Sequence, residues 1–211
     1  MAGPDAVHRA IVVVDIAEST HPIRTNHDRL VIRAAMYDAL EQAFGRQDWP
    51  QCLRYDRGDG VLILVPPDVP KARLVTGLPV RLETALACHN AAMEERGGER
   101  AVATQIQLRV AVNAGEVTFD EHGVLGQAID HTFRLVDAAE LKAALAGSMD
   151  ACALIVSDWF YGDVVYHHQD ARPDIYRHVD CAVKDTKLSA WLRVPEPRLA
   201  LGRTALATTG S

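Results

Sequence analysis

The order of apolar patterns along the chain predicts an α/β (α+β) sandwich: a mixed, mainly antiparallel sheet with a βαββαβ core flanked by helices. Three observations carry that expectation. A β-branched run, Ala10–Val14, precedes a stretch with a 3.6-residue apolar rhythm, the pattern of a buried strand feeding an amphipathic helix. Two short apolar runs then flank Asp56-Arg57-Gly58-Asp59-Gly60, a turn sequence of the kind that joins hairpin strands. A second strand–helix–strand series follows and ends in an antiparallel pair, which completes two halves around the hairpin.

Each element has its own justification. Leu30, Ile32, Ala35, Met36, Leu40 and Phe44 recur at helical spacing and predict a helix from about Asp28 to Phe44, closed by Gly45. Cys52–Tyr55 and Val61–Val65 are the hairpin strands, the second stopped by Pro66 and Pro67. A long helix is expected from Leu78 to Glu95, ended by Gly97 and Gly98. Gln105–Val112 alternates as a strand running into Asn113-Ala114-Gly115, with Glu116–Phe119 continuing as a second hairpin. Gly126 to Leu145 reads as one helix, Leu154–Val156 as a strand and Asp158–Val164 as a short helix. Tyr176–Val183 and Leu188–Val194 form the closing pair. Residues 1–7 are a leader, 8–194 a single domain, and 195–211 a flexible tail of small residues.

Composition narrows the function classes. The 211 residues are 48% hydrophobic and 24% charged, as in ordinary folded proteins, which is enough to bury a core without covalent staples. Twenty-two Lys and Arg against 28 Asp and Glu leave a net charge of −6, which argues against nucleic acid or an anionic membrane as the partner. The four cysteines are scattered without a CxxC pair, so neither a zinc site nor a disulfide framework is indicated. The first apolar run stops at Asp15, too soon for a signal peptide or a membrane span, and the expected location is cytoplasmic.

Three segments carry chemistry. Asp15, at the end of a buried strand, leads into Ile16-Ala17-Glu18-Ser19-Thr20, a carboxylate beside small hydroxyls that suits a metal and a phosphate; Ser19 and Thr20 serve equally well as turn or cap residues. Asp59, at the hairpin tip, is by itself a turn former. A strand–helix–strand crossover can nonetheless lay that hairpin beside the first strand and bring the two carboxylates together as a hard-cation site for Mg²⁺ or Mn²⁺. Asp130 and Arg134 stand at i and i+4 of the later helix, either as a stabilising ion pair or with the arginine presented to a phosphoryl group. His167-His168 and Cys88-His89 lack convergent ligand spacing, and no phosphate-binding GxxxxGK[ST] or dinucleotide GxGxxG motif is present.

Taken together, in order and over residues 8 to 194, these segments resemble the class III nucleotidyl cyclase catalytic domain, with the character of a divergent bacterial member. DIAEST is similar to the family's Asp-Ile-x-Gly-(Phe/Ser)-Thr segment and YDRGD to its Lys-x-x-Gly-Asp hairpin. RVAVNAGEV is similar to its Arg-(Ile/Val)-(Gly/Ala)-(Ile/Val)-x-x-Gly-x-Val strand, GQAIDHTFRL to its Gly-x-x-Val-Asn-x-Ala-x-Arg-Leu helix, and AVKDTKLSAWLRVP to its closing lysine-led hairpin. The resemblance implies a ferredoxin-like, nucleotidyl cyclase type of sheet. It implies Asp15, Asp59 and the Ile16 carbonyl as ligands of two Mg²⁺ or Mn²⁺ ions per site, residues 16–20 as the triphosphate loop, and Arg134 as the group that stabilises the transition state. It also implies a nucleoside triphosphate substrate and a homodimer, with metals from one protomer and the arginine from the other.

The departures from the family pattern are specific. Tyr55 stands where the family has a purine-selecting lysine, and Gly123 where it has a purine-selecting Asp or Thr. Asp130 replaces the ribose-orienting Asn, and Glu18 replaces a glycine beside the phosphates, where a carboxylate repels a desolvated triphosphate. Two functions follow from the resemblance: a metal-dependent cyclase of unassigned base, or a catalytically degenerate cyclase-homology domain that binds a nucleotide or a protein and regulates a downstream effector. If Asp15 and Asp59 converge, their mutual repulsion is expected to cost stability until a divalent cation relieves it.

Overall fold

The computed structural model describes residues 5–98, 100–183 and 186–194. The tail from 195 onwards, the start of the leader, and Lys184 of the closing hairpin lie outside the described residues. In chain order the elements are β1 (Val7–Ile16), α1 (Asn26–Asp48), β2 (Leu53–Asp56), β3 (Gly60–Val65), the single turn α2 (Arg73–Thr76), α3 (Leu78–Arg96), the single turn α4 (Arg100–Ala103), β4 (Leu108–Asp120), β5 (Gly123–Leu125), α5 (Gln127–Asp137), α6 (Ala139–Ala146), β6 (Cys152–Ser157), α7 (Asp158–Phe160), β7 (Tyr176–Val183) and β8 (Thr186–Arg193). The sheet runs β2-β3-β1-β4-β6-β8-β7, with β5 paired to β4 off that path. Among the described residues only β4 and β6 run parallel; the other pairs are antiparallel, in line with the mixed, mainly antiparallel sheet the sequence predicts.

Strand alternation sorts the side chains into two cores. Val12, Val14 and Ile16 of β1, with Val61 and Ile63 of β3 and Val110 and Val112 of β4, pack against Met36 and Leu40 of α1 and Leu82 and Leu86 of α3. Ile11 and Val13, with Leu62, Leu64, Ala111 and Ile155, pack on the other face against Ile129, Leu135 and Val136 of α5 and Leu141 and Leu145 of α6. The result is a helix–sheet–helix sandwich in which every residue of β3 is buried.

The structure corrects the sequence reading in three places. The expected single helix over Gly126–Leu145 breaks at Ala138, whose ψ of 136° is extended, so α5 and α6 are separate. No turn forms at Asn113-Ala114-Gly115. β4 continues through them to Asp120, and the hairpin comes later, onto β5. Asn113 tolerates this mid-strand burial because its polar atoms are satisfied: its Nδ2 donates to the Ala128 carbonyl at 3.2 Å and its Oδ1 accepts from the Ser157 hydroxyl at 2.7 Å. The helix after β6 is one α turn followed by a wider π turn over Tyr161–Val165.

Helix α1 starts with a capping box: the Thr25 hydroxyl accepts from the Asp28 amide at 3.3 Å, and the Asp28 carboxylate accepts from the Thr25 amide at 2.7 Å. Gly45, with φ of 82°, interrupts α1 where the sequence placed its end, and one more turn follows. Helix α5 lies close over β4 because Gly115 has no side chain: a methyl group there would sit 2.5 Å from Ala128 Cβ. Replacing Gly115 by Ala is therefore expected to force α5 outward and cost roughly 1–3 kcal/mol. The check is the urea unfolding midpoint; an unchanged midpoint would show that α5 does not depend on that close approach.

Candidate active site

The register of β1 builds the site. β1 pairs with β3 on one side and β4 on the other, so Asp15 lies opposite both Gly60 and Arg109. Gly60 follows Asp59 directly, and the Ile16 amide donates to the Asp59 carbonyl at 2.8 Å, so the two aspartates named by the sequence meet at one end of the sheet. The buried Ser19 hydroxyl donates to Asp59 Oδ2 at 2.8 Å, which ties the loop after β1 to the hairpin tip. Ser19 is thus a positioning residue as well as a loop residue.

Arg109 was not singled out by the sequence. It lies across the strand from Asp15, and its Nε donates to Asp15 Oδ2 at 2.9 Å while its terminal nitrogen bonds the same oxygen. Only the β1–β4 register reveals that pairing, because 94 residues separate the two in the chain. Burial nonetheless pushes the Asp15 carboxyl above its usual range; Arg109 pulls it down, and Asp59 and then Asp137 of α5 push it up again. The expected repulsion between Asp15 and Asp59 is therefore present, but it is secondary to burial and is partly balanced by a guanidinium.

Part of the loop after β1 already has its backbone donors engaged. The Ile16 and Ala17 amides are committed to the carbonyls of Asp59 and Gln107, which leaves the amides of Glu18, Ser19 and Thr20 as the loop's candidate donors to an anion. Glu18 has φ of 52°, in the left-handed region. A side chain there costs on the order of 1 kcal/mol, which explains physically why a glycine suits the position.

Among the described residues no hydrogen bond or ion pair joins the remaining predicted residues to this pair; the side-chain partners of the aspartates are Arg109 and Ser19. Asp130 and Arg134 are exposed on α5 and form no salt bridge with each other, so the expected helix-stabilising pair is not what holds them. Tyr55 is half-buried on β2 and packs on the α5-side core, as do Phe119 and Val124 of the β4–β5 hairpin. Gly123, with φ of 145°, closes that hairpin, where Asp120 Oδ1 accepts from the amides of His122 and Gly123 at 2.8 and 2.9 Å. Its backbone role explains the glycine, and it presents no side chain to a base. Among the described residues no group of three His, Cys, Asp or Glu gathers as a metal site, so a cation at Asp15 and Asp59 would need further oxygens from a ligand. The donor chemistry fits a hard ion: two carboxylates on adjoining strand ends and a backbone carbonyl.

The described residues also include no helix long and apolar enough to cross a membrane. No protein-family model matches the chain, and no curated protein matches it significantly. Solved structures do match. The adenylyl cyclase CyaB from P. aeruginosa superposes with a TM-score of 0.58 at 13% identity, covering 92% of this chain and 98% of that one. The guanylyl cyclase Cya2 gives 0.55 at 16% identity, covering 94% and 98%. The catalytic core of a rhodopsin-guanylyl cyclase in complex with ATPαS gives 0.53 at 15% identity, covering 89% and 94%. The chain has the fold of the adenylyl and guanylyl cyclase catalytic domains over nearly its whole length.

Replacing Arg109 by Leu would leave the half-buried Asp15 without its counterion, an expected loss of about 1–3 kcal/mol at neutral pH. The sign with pH is fixed by Asp15. Its folded carboxyl is already raised above its unfolded value of 3.8, and losing Arg109 raises it further. The penalty is therefore fully present while Asp15 is ionised and shrinks as acid protonates it. Unfolding midpoints of both proteins at pH 7 and pH 4 test this; a deficit that does not shrink in acid would show that Arg109 contributes through packing alone.

Proposed function

We propose that the protein is a metal-dependent nucleotidyl cyclase that works as a homodimer, converting a nucleoside triphosphate of unassigned base to its 3′,5′-cyclic nucleotide and pyrophosphate. The observation that carries this reading is the convergence of Asp15 and Asp59 on adjoining strand ends beside a hydroxyl-bearing loop, within a cyclase-type fold. Asp15, Asp59 and the Ile16 carbonyl would hold Mg²⁺ or Mn²⁺, two per site, and the ions would neutralise phosphate charge and acidify the ribose 3′-hydroxyl. The chain's own residues do the rest. Amides of Glu18, Ser19 and Thr20 bind phosphate oxygens, and Asp130 accepts from the ribose. Arg134 neutralises charge on the α-phosphoryl group as its bond to the 3′-oxygen forms and the bond to pyrophosphate breaks. Arg134 is exposed and forms no salt bridge among the described residues, which suits delivery to a partner's site.

A second reading has one observation in its favour. Glu18 holds a left-handed backbone at its own energetic cost and places a carboxylate beside the phosphate loop. A domain that binds a nucleotide or a protein without turnover, and so regulates an effector, would tolerate that charge.

Incubating the purified protein with ATP, GTP, CTP and UTP separately, with Mn²⁺, and measuring cyclic products by mass spectrometry decides between the readings. Product from at least one nucleotide is expected, without strict preference for ATP or GTP, because Tyr55 and Gly123 offer no purine-reading pair. No product from any of the four supports the regulator, and strong selectivity for ATP over both CTP and UTP would refute the assignment of Tyr55 and Gly123. Mixing inactive Asp59→Ala and Arg134→Ala chains should restore one intact site per heterodimer. Activity that stays absent in the mixture, with dimers present by sedimentation, would place both residues in the same chain's site.

A further inference from the structure

We propose that Arg29, Arg33 and Arg57 form an anion-binding wall that receives the terminal phosphates of a polyphosphate ligand engaged at Asp59. For the ligand's identity as a nucleotide this rests on the reading above; the wall itself does not. A cavity of about 530 Å³ opens where the loop after β1, the first turns of α1 and the β2–β3 turn meet. That volume lies within the range of small-molecule sites. Arg29 and Arg33 stand at i and i+4, on one face of α1, and Arg57 reaches the same cavity from the hairpin, two residues before Asp59.

The charges are unbalanced there. Of the cavity's lining residues, Asp59 alone is acidic, against three arginines, in a chain whose net charge is −6. Arg33 is paired with Asp56, which also accepts from the Tyr37 hydroxyl at 2.6 Å. Neither Arg29 nor Arg57 forms a salt bridge to a carboxylate among the described residues. Arg57 lines the cavity from the hairpin and lies over the Phe133 ring of α5 at 5.5 Å, with no carboxylate holding it. Ser19 and Thr20 add hydroxyl donors, and Ile16, Leu30 and Ile32 supply apolar surface that limits water and so strengthens ionic contacts. Guanidinium forks match phosphate oxygens two at a time, so several of them favour a chain of phosphates over a single one. The wall also supplies, from side chains, positive charge that offsets Glu18 beside the loop.

The test uses the full chain without metal and inorganic tripolyphosphate as the probe, followed by isothermal titration calorimetry. Tripolyphosphate is expected to bind at least about tenfold more tightly than orthophosphate, and the Arg29→Gln/Arg57→Gln double variant to weaken it by at least about tenfold. Both side chains are exposed, so circular dichroism should show the variant folded. Asp59→Asn should tighten tripolyphosphate, since a facing negative charge is gone, and Arg177→Gln on β7, at the opposite edge of the sheet, should change nothing. Wild-type protein that fails to bind tripolyphosphate, or a double variant that binds it as wild type does, overturns the proposal. Loss on Arg177→Gln equal to that of the double variant overturns it too, by showing a general charge effect. Arginine-dependent binding with no cyclic product from any nucleotide keeps the wall and removes the cyclase; cyclic product with no arginine dependence of binding does the reverse.

Discussion

The pairing of β1 with β3 and β4 at once is the constraint on which the rest of the structure depends. Because side chains alternate along a strand, that double register sends Val12, Val14 and Ile16 to the α1 and α3 face and Ile11 and Val13 to the α5 and α6 face. The same alternation sets Asp15 opposite Gly60 and Arg109. A slip of one residue would turn every one of these groups to the wrong face, so the hydrophobic sandwich and the carboxylate pair are held by one geometric condition. The core thereby fixes a site that, on charge alone, would resist forming.

Charge at the sheet end is arranged around that condition. Asp15 is buried enough that its carboxyl is pushed up, and Arg109 offsets only part of the cost. Asp59 is exposed and anchored by Ser19, so one carboxylate is rigid and partly neutralised while the other faces the cavity. Positive charge then reappears as Arg29, Arg33 and Arg57 around the cavity mouth. Asp59 thus stands between the half-buried Asp15 on one side and the arginines of the cavity on the other.

Backbone geometry and side-chain chemistry pull in opposite directions at two positions. At Glu18 the loop demands a left-handed residue, and a carboxylate occupies it. At Gly123 the hairpin demands a residue of positive φ and has one, with no side chain left to discriminate a base. Both are places where the backbone keeps the conformation of the cyclase-type fold whatever side chain, or none, the sequence supplies.

The sequence by itself determined most of the elements and that Asp15 and the Asp59 turn lie beside one another. Strand and helix periods are local, so Ala10–Val14, the hairpin around Asp59 and the helix after Asp28 were legible from a few neighbouring residues. Motif order sufficed to point to the cyclase-type fold that the structure has. What only the tertiary structure decided depends on partners far away in the chain. Asn113 is a strand residue and not a turn residue because Ser157 and Ala128 satisfy it, and α5 ends at Asp137 although its apolar rhythm continues. Arg109 meets Asp15 across 94 residues, and Arg29 and Arg57 share a cavity although one sits on a helix and the other on a hairpin. Local patterns report the period of a segment, whereas electrostatic partners are chosen by register and crossover, which no window of sequence contains.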